Sequence, residues 1–306
     1  MARRSAFPTR QRRTIALAAC FLLAFAPIQL LGHPEFEEQI ALLTLALQKE
    51  PANVNLWLHR SDLQRQHRQF DLALADLDQA ARLRPSWATL SLARARTLFD
   101  AERTRDALAA TEAFLKPEPD HAEGLLLQAR CLSRLGQMDK AAAAYTSALK
   151  RFAEPSPDLF LERARLQAAL GRLQGAVEGL DEGISRLGPV PALELSTIEY
   201  ERQRGDFDAA LSRAGSLVLR AGVKEPALAL RAELLEQTGR FVEARDAFQQ
   251  LVRRIDAYPV NRRTIEATLQ LKRRAQEGSA RVAAKLSRSA SQGQSRGMKP
   301  PSGTNP

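Results

Sequence analysis

The sequence predicts an all-α protein built from stacked helical hairpins, and three observations support this. Ala, Leu and Arg, which all favour helix, dominate the 306 residues. Glycines recur 35, 34 and 34 residues apart, at Gly136, Gly171, Gly205 and Gly239. Stepping in this register gives six alanines, each five residues after the turn position, at Ala73, Ala107, Ala141, Ala176, Ala210 and Ala244. A fixed period of this length is the signature of a helical repeat protein.

The first element along the chain, residues 1–32, is predicted to be a targeting segment. Five arginines and no acid precede and flank an apolar run at Ile15–Leu31, after which the sequence turns acidic. This order is typical of a secretory signal peptide, cleaved near Gly32, or of an N-terminal membrane anchor that is retained. The motif "LAAC" also leaves open lipidation at Cys20. In each case we expect an exported protein, in a bacterial periplasm or cell envelope.

The next element, "PEFEEQIALLTLALQKEP" at residues 34–51, matches the second half of a repeat and is predicted to be a single helix that begins the stack. Each full repeat is predicted to contain a helix A, a turn, a helix B and a second turn. We place six repeats, numbered 1 to 6, that start at Val54, Ala88, Ala122, Pro157, Pro191 and Glu225. Together, residues 33–258 form the predicted solenoid.

The repeated residue types have physical reasons. Glycine in the turn between helices A and B can take a positive φ and end helix A without steric cost. Alanine in helix B lets two helices approach closely, and a larger side chain there would cost about 1–3 kcal/mol through overpacking. Several positions depart from the pattern, so we expect less regular hairpins there: Glu102 replaces the turn glycine, and Phe114, Leu217 and Leu251 replace a small residue late in helix B.

Two elements follow the repeats. Residues 259–286 are predicted to be a basic capping helix, with Asn261 as its N-cap and Gly278 as its stop, covering the open face of the last hairpin. Residues 287–306, "SRSASQGQSRGMKPPSGTNP", are rich in Ser, Gly and Pro and lack an apolar period. This composition cannot build a core, so we predict a disordered tail.

The stretches "NLWLHRSDLQRQHRQFDLALADLDQAARLRP" and "GLLLQARCLSRLGQMDKAAAAYTSAL" resemble the tetratricopeptide repeat family. That resemblance implies a right-handed superhelical solenoid of stacked helix-turn-helix hairpins, which binds a protein or an extended peptide in a concave groove lined by the A helices. It implies a non-catalytic scaffold or adaptor without a cofactor.

The charge distribution bears on the alternative, a helical repeat that binds nucleic acid. The formal charge is +10, but residues 1–32 contribute +5 and residues 259–306 contribute +8, from ten basic and two acidic residues. The remaining residues 33–258 therefore carry −3, which argues against phosphate binding by the repeats. The basic residues at either end of the chain could instead associate with a membrane surface.

No catalytic or metal-binding motif is recognisable. The four histidines, His33, His59, His67 and His121, lack the spacing of a helical metal site, and the glycines are accounted for by turns. We therefore predict no enzyme activity, no catalytic residues, no metal and no cofactor.

The resemblance places partner contacts at the fifth and ninth positions of each helix A. The fifth positions form an apolar series: Leu58, Leu92, Leu126, Leu161, Leu195 and Ala229. The ninth positions are charged: Asp62, Arg96, Arg130, Arg165, Glu199 and Glu233. The three arginines would suit an extended peptide with a carboxylate or acidic side chains at its centre. Alternatively, the leucines pack against neighbouring helices and the charges are solvated or paired.

Overall fold

A computed structural model describes residues 34–220 and 224–297 of the protein, and helices dominate both ranges. Fifteen helices are described in these ranges: α1 (Pro34–Lys49), α2 (Val54–Gln66), α3 (Phe70–Leu83), α4 (Ala88–Asp100), α5 (Thr104–Leu115), α6 (Ala122–Arg134), α7 (Met138–Arg151), α8 (Pro157–Ala169), α9 (Leu173–Leu187), α10 (Pro191–Arg204), α11 (Phe207–Leu219), α12 (Lys224–Gln237), α13 (Phe241–Asp256), α14 (Val260–Arg263) and α15 (Glu266–Gly297). The predicted all-α fold of stacked hairpins is confirmed, and the described residues contain no strand.

The A helices of the first five repeats, α2, α4, α6, α8 and α10, begin at the residues that the register gives, and α12 begins one residue earlier. The B helices of the six repeats are α3, α5, α7, α9, α11 and α13. Helix contacts divide the described residues into two compact parts, one up to residue 110 and one from residue 111, with the boundary inside α5. Within each part, helices that follow one another along the chain pack together.

The six in-register alanines lie where the helices approach most closely. Each of them is completely buried: Ala73, Ala107, Ala141, Ala176, Ala210 and Ala244. A methyl group fills the available space at this position in every repeat, which explains why larger apolar residues are not found there.

The turns between helices A and B use the left-handed backbone conformation. Gly136, Gly171, Gly205 and Gly239 have φ between 73° and 87°. Repeats 1 and 2 have Arg68 and Glu102 at the equivalent position, each with a φ of 61°. The turn geometry is therefore retained in all six repeats, although the first two lack the residue that adopts it without strain.

The C-terminal region differs from the prediction. Asn261 lies inside the short helix α14 and not at an N-cap, and Gly278 lies inside α15 and does not end it. A Cβ at Gly278 would clash with the ring of Phe248 in α13, so this glycine serves close helix packing. Helix α15 then continues through residues 287–297, where a disordered tail was predicted. Earlier in this helix, Ala275 and Val282 are buried in the cluster that contains Phe248 of α13. Residues 298–306 lie outside the described residues.

Candidate functional site

A pocket of about 520 Å³ lies between the A helices of repeats 1 and 2. Four of the predicted partner-binding residues line it: Leu58 and Asp62 from α2, and Leu92 and Arg96 from α4. Fifth and ninth positions are four residues apart, so they share one face of a helix, and the packing of α2 against α4 brings the two faces together. The structure therefore brings these four side chains into one pocket within residues 34–110, and their contact with a partner stays a prediction. We name the fifth and ninth positions of the A helices, taken within each part by itself, the A-helix face.

Charged groups surround one side of this pocket. Arg65 Nη2 donates to Asp62 Oδ1 at 2.7 Å, and Arg65 Nη1 donates to Asp100 Oδ2 at 2.6 Å. Burial by itself would lower the pKa of Arg65, but these hydrogen bonds raise it above its ordinary value. Burial and the nearby charge of Arg65 lower the pKa of Arg96. Positive charge at Arg96 is therefore held at a cost, which an anionic group in the pocket would reduce.

The fifth positions are enclosed to a similar degree in both parts. In the N-terminal part Leu58 is half-buried and Leu92 is 6% exposed. In the C-terminal part Leu161 and Ala229 are 8% and 4% exposed, whereas Leu126 and Leu195 are half-buried. Leu126 and Leu161 pack in one cluster with Phe160 and Leu193, and Leu195 packs in the next cluster. These side chains therefore support the hydrophobic core and present only part of their surface.

Two of the predicted arginines differ sharply in their surroundings. Arg130 Nη2 and Nε donate to the two oxygens of Glu162 at 2.8 and 3.0 Å, and the hydroxyl of Tyr145 donates to Glu162 Oε2 at 2.9 Å. The hydrogen bonds with Glu162 raise the pKa of Arg130, and burial, followed by the charge of Glu162, raises that of Tyr145. By contrast, Arg165 is exposed and has no hydrogen bond or ion pair to any described residue.

The two predicted acids in the C-terminal part are already paired. Glu199 accepts from Arg202 at 2.5 and 2.8 Å, and these hydrogen bonds lower its pKa. Glu233 forms an ion pair with Arg274 of α15 at 2.5 Å. Helix α15 thus supplies a cation to the ninth position of repeat 6.

Sequence reasoning missed Arg65, Glu162 and Arg274. A local signal existed for Arg65, since an arginine three residues after the ninth-position acid recurs as Arg202 after Glu199. No local signal existed for Glu162 or Arg274, because each lies more than 30 residues from its partner in sequence.

Residues 34–220 and 224–297 show neither a metal-binding cluster nor a helix able to span a membrane. No group of three or more His, Cys, Asp or Glu side chains there is placed to hold a metal ion. His121 instead caps α6, where its Nδ1 accepts from the Gly124 amide at 3.3 Å. None of the helices in these ranges combines the length and apolar character needed to cross a bilayer. Cys20, His33 and the rest of residues 1–33 lie outside the described residues.

Comparison with known families decides the classification. A family model described as tetratricopeptide repeat matches residues 92–157, 132–189 and 197–261, which together exceed half of the chain. The chain belongs to the tetratricopeptide repeat family. No curated protein sequence matches it.

Solved structures of other tetratricopeptide repeat proteins are similar in fold. PilW, a widely conserved type IV pilus biogenesis factor, is 24% identical with a TM-score of 0.51, over 60% of this chain and 86% of PilW. A tetratricopeptide repeat protein from Parabacteroides merdae is 18% identical with a TM-score of 0.49, over 79% and 93% of the two chains. YrrB, a repeat protein with an unusual peptide-binding site, is 14% identical with a TM-score of 0.47, over 57% and 90%. Tetratricopeptide repeats generally serve as non-catalytic scaffolds for protein interactions, and this chain has the architecture of such a scaffold.

Proposed function

We propose that this tetratricopeptide repeat protein is an exported adaptor that binds an extended segment of a partner polypeptide on its A-helix face. The pocket between α2 and α4 supports the proposal, because apolar and charged side chains both line it. Leu58 and Leu92 are the apolar lining residues among the predicted contacts, and Asp62 and Arg96 are the charged ones. Such a combination suits a peptide that buries an apolar side chain and orients itself through polar contacts.

Electrostatics favour an acidic partner segment. Arg96 has a lowered pKa beside Arg65, and Arg165 is exposed without a hydrogen bond or ion pair among the described residues. A carboxylate near either guanidinium group would form charge-assisted hydrogen bonds, which are stronger than neutral ones. Arg130 contributes less to this preference because Glu162 already neutralises it.

The proposed export rests on the order of residues 1–38, where a basic stretch, an apolar run and an acidic stretch follow one another. Cleavage of this segment, its retention as an anchor and lipidation at Cys20 all place the repeats outside the cytoplasm. Mass spectrometry of the N-terminus of the protein recovered from cell fractions distinguishes the three, and recovery of the full-length chain in the cytoplasm would contradict export.

Photo-crosslinking from residues of the A-helix face tests the proposed binding. A photo-crosslinking residue at the half-buried Leu58 or Leu195, in cells of the source organism, should trap a partner polypeptide. Arg96→Glu should reduce the product trapped from Leu58 and Arg165→Glu the product trapped from Leu195, since each reverses the charge offered to an acidic segment. Arg105→Glu is the matched control, because Arg105 is an exposed arginine on a B helix. Equal trapping in all variants would exclude the A-helix face as the binding surface.

A binding experiment with purified protein tests the alternative function, nucleic-acid binding by the repeats. Purified protein should show no salt-sensitive affinity for single-stranded RNA that depends on the repeats, since residues 33–258 carry a formal charge of −3. RNA binding that persists after removal of residues 259–306 would favour the alternative.

A further inference from the structure

Helix α1, the first described helix, lacks the A helix that accompanies the B helix of each complete repeat. It matches a B helix in register and packs on α2 as the B helix α3 packs on α4. At the position of the six buried alanines it has Gln39, which is exposed. Leu42 is 60% exposed, although the equivalent residues of repeats 1, 3 and 6, Asp76, Ala144 and Ala247, are buried. The side of α1 that its own A helix would cover is therefore open toward the described part of the chain.

Helix α15, the last described helix, has the opposite deficiency. It contacts both helices of repeat 6, α12 and α13, just as α4 contacts both helices of repeat 1. It therefore takes the position of the A helix of a seventh repeat, and no B helix follows it up to residue 297. A B helix of that repeat would pack on the side of α15 that α12 and α13 leave uncovered. Terminal units of helical repeat proteins normally have a polar outer side.

That uncovered side of α15 is apolar and carries a groove of about 430 Å³ between α13 and α15. Val252 of α13 lines it together with Ala280 and Ala283 of α15, and most of its surface is apolar. Leu269 is 41% exposed and lies on the same side of α15, because residues 269, 280 and 283 are separated by nearly whole numbers of helical turns. A groove of this kind suits an amphipathic helix that inserts an apolar side chain.

The two terminal helices carry opposite charge. Helix α1 contains three acidic residues and one basic residue, a formal charge of −2, whereas α15 contains seven basic and two acidic residues, a formal charge of +5. Close to the apolar surfaces the signs are also opposite, since the exposed Glu38 lies one helical turn before Leu42 and the exposed Arg253 lines the groove. Charge complementarity therefore favours contact of α1 with the groove and opposes contact of α1 with a second α1.

We propose that copies of this protein bind one another head to tail, with α1 of one copy packed in the groove between α13 and α15 of another. Helix α15 then serves as the A helix, and α1 as the B helix, of one repeat composed of two chains. Because this contact joins two different surfaces, an unused α1 and an unused groove remain after each addition, and growth can continue beyond a dimer. The contact uses no residue of the A-helix face, so it does not rest on the proposed function.

Sedimentation velocity of the protein in the form recovered from cells tests the proposal over a range of micromolar concentrations. The unaltered protein should form oligomers larger than a dimer, whose share rises with concentration. Leu42→Glu and Ala283→Glu each place a carboxylate in the apolar contact and should weaken association about tenfold or more. Both positions are exposed within one copy, so folding should be retained. Leu72→Glu is the matched control, because Leu72 is a leucine on the B helix α3 that is 55% exposed.

Mixing the two glutamate variants distinguishes head-to-tail contact from symmetric pairing. The Leu42→Glu protein keeps an intact groove and the Ala283→Glu protein keeps an intact α1, so the mixture should form a dimer with one copy of each and no larger species. A dimer formed by either variant alone as readily as by the unaltered protein would overturn the proposal. A monomer at every concentration, as expected if residues 1–33 cover α1, would also overturn it. So would oligomers that neither substitution weakens, which would indicate association through the apolar run at residues 15–31.

Discussion

The ring of Phe114 occupies the space that a side chain at residue 124 would need. A Cβ at Gly124 would lie 2.8 Å from Phe114 Cε1, closer than two carbon atoms can approach. The relationship is inverted two repeats later, where a Cβ at Gly183 would lie 3.1 Å from Cδ1 of Leu193 and 2.8 Å from Cγ of Phe160. Position 124 is equivalent to 193, and position 114 to 183. Large and small residues thus exchange places at one contact, and Phe114, predicted to disturb its hairpin, is accommodated at 3% exposure.

Gly124→Leu should lower the free energy of unfolding by about 1–3 kcal/mol, because it overpacks the contact with Phe114. Adding Phe114→Ala should recover much of the loss, since the pair then resembles Gly183 and Leu193. Urea unfolding of both variants measures this. Gly215→Ala is the control: its Cβ would meet no atom within 4 Å, so helix propensity should make it slightly stabilising. Additive effects of the two substitutions would contradict the size exchange.

Glu102→Gly should raise the free energy of unfolding by about 0.5–1 kcal/mol, because Glu102 has a φ of 61°. Gly136→Ala, at the equivalent turn with a φ of 75°, should lower it by about 1 kcal/mol. Glu102→Ala keeps the Cβ in the left-handed region and should bring no gain of this kind. Thermal and urea unfolding test all three. A stabilising Gly136→Ala would show that the turn is not strained by a side chain.

Arg130→Gln and Arg165→Gln should separate stability from binding. The first leaves Glu162, which is half-buried, without its bidentate partner, and should cost about 1 kcal/mol of unfolding free energy. The second changes an exposed side chain without an ion pair to the described residues, and should leave stability nearly unchanged while reducing capture of the partner. Urea unfolding beside photo-crosslinking gives both readouts. Equal loss of stability in the two variants would contradict the distinction.

The packing of α15 against α12 should depend on pH and on the basic side chains of Arg281 and Lys285. Burial opposes the ionised form of Glu236, but hydrogen bonds from Arg281 and Lys285 lower the pKa of Glu236 below its ordinary value of 4.5. A lowered folded-state pKa means that the stabilisation is present above pH 4.5 and is lost as pH falls through the folded value. The protection factors of the amides in residues 274–285, that is, the intrinsic exchange rate at each pH divided by the observed rate, should therefore fall on acidification.

The same exchange measurement at neutral pH tests the individual charges. Arg281→Gln with Lys285→Gln should loosen α15, because Glu236, 11% exposed, loses both cations. Arg273→Gln with Arg288→Gln removes two charges from exposed positions of the same helix and is the control. Equal exchange in the two double variants would mean that packing against α13 alone holds α15.

Cys131 should be unreactive in the folded protein. It is fully buried in α6, and burial raises the pKa of its thiol to about 11. Since the thiolate is the reactive form, alkylation by iodoacetamide at pH 8 should be much slower in the native protein than in urea. A chain with Cys20→Ala isolates the signal from Cys131. Rapid alkylation of the native chain would show that α6 opens readily.

Much of the fold could be predicted because residues close together in sequence determine the helices and the turn of each hairpin. The alanine in helix B and the residue in the left-handed turn lie five residues apart, and their repetition every 34 residues gives the helices without knowledge of long-range contacts. The C-terminal helix has no repeat to define it. Gly278 was interpreted as a stop from its residue type, whereas its role depends on the ring of Phe248, thirty residues earlier.

The candidate site could be predicted less completely. Helical spacing placed Leu58, Asp62, Leu92 and Arg96 on faces that do meet in one pocket. It could not show that Glu162 neutralises Arg130 while Arg165 stays exposed.

The sequence by itself determined the repeating unit, its turns and the faces of its A helices, because these depend on residues within one or two helical turns of each other. Only the tertiary structure decided which charges are neutralised by other side chains of the protein, which space the ring of Phe114 occupies, and that two glutamates of α10 are buried beside arginine partners. Side-chain pairing and packing depend on groups from segments that are distant in sequence. A periodic sequence pattern does not reveal which of these segments lie in contact.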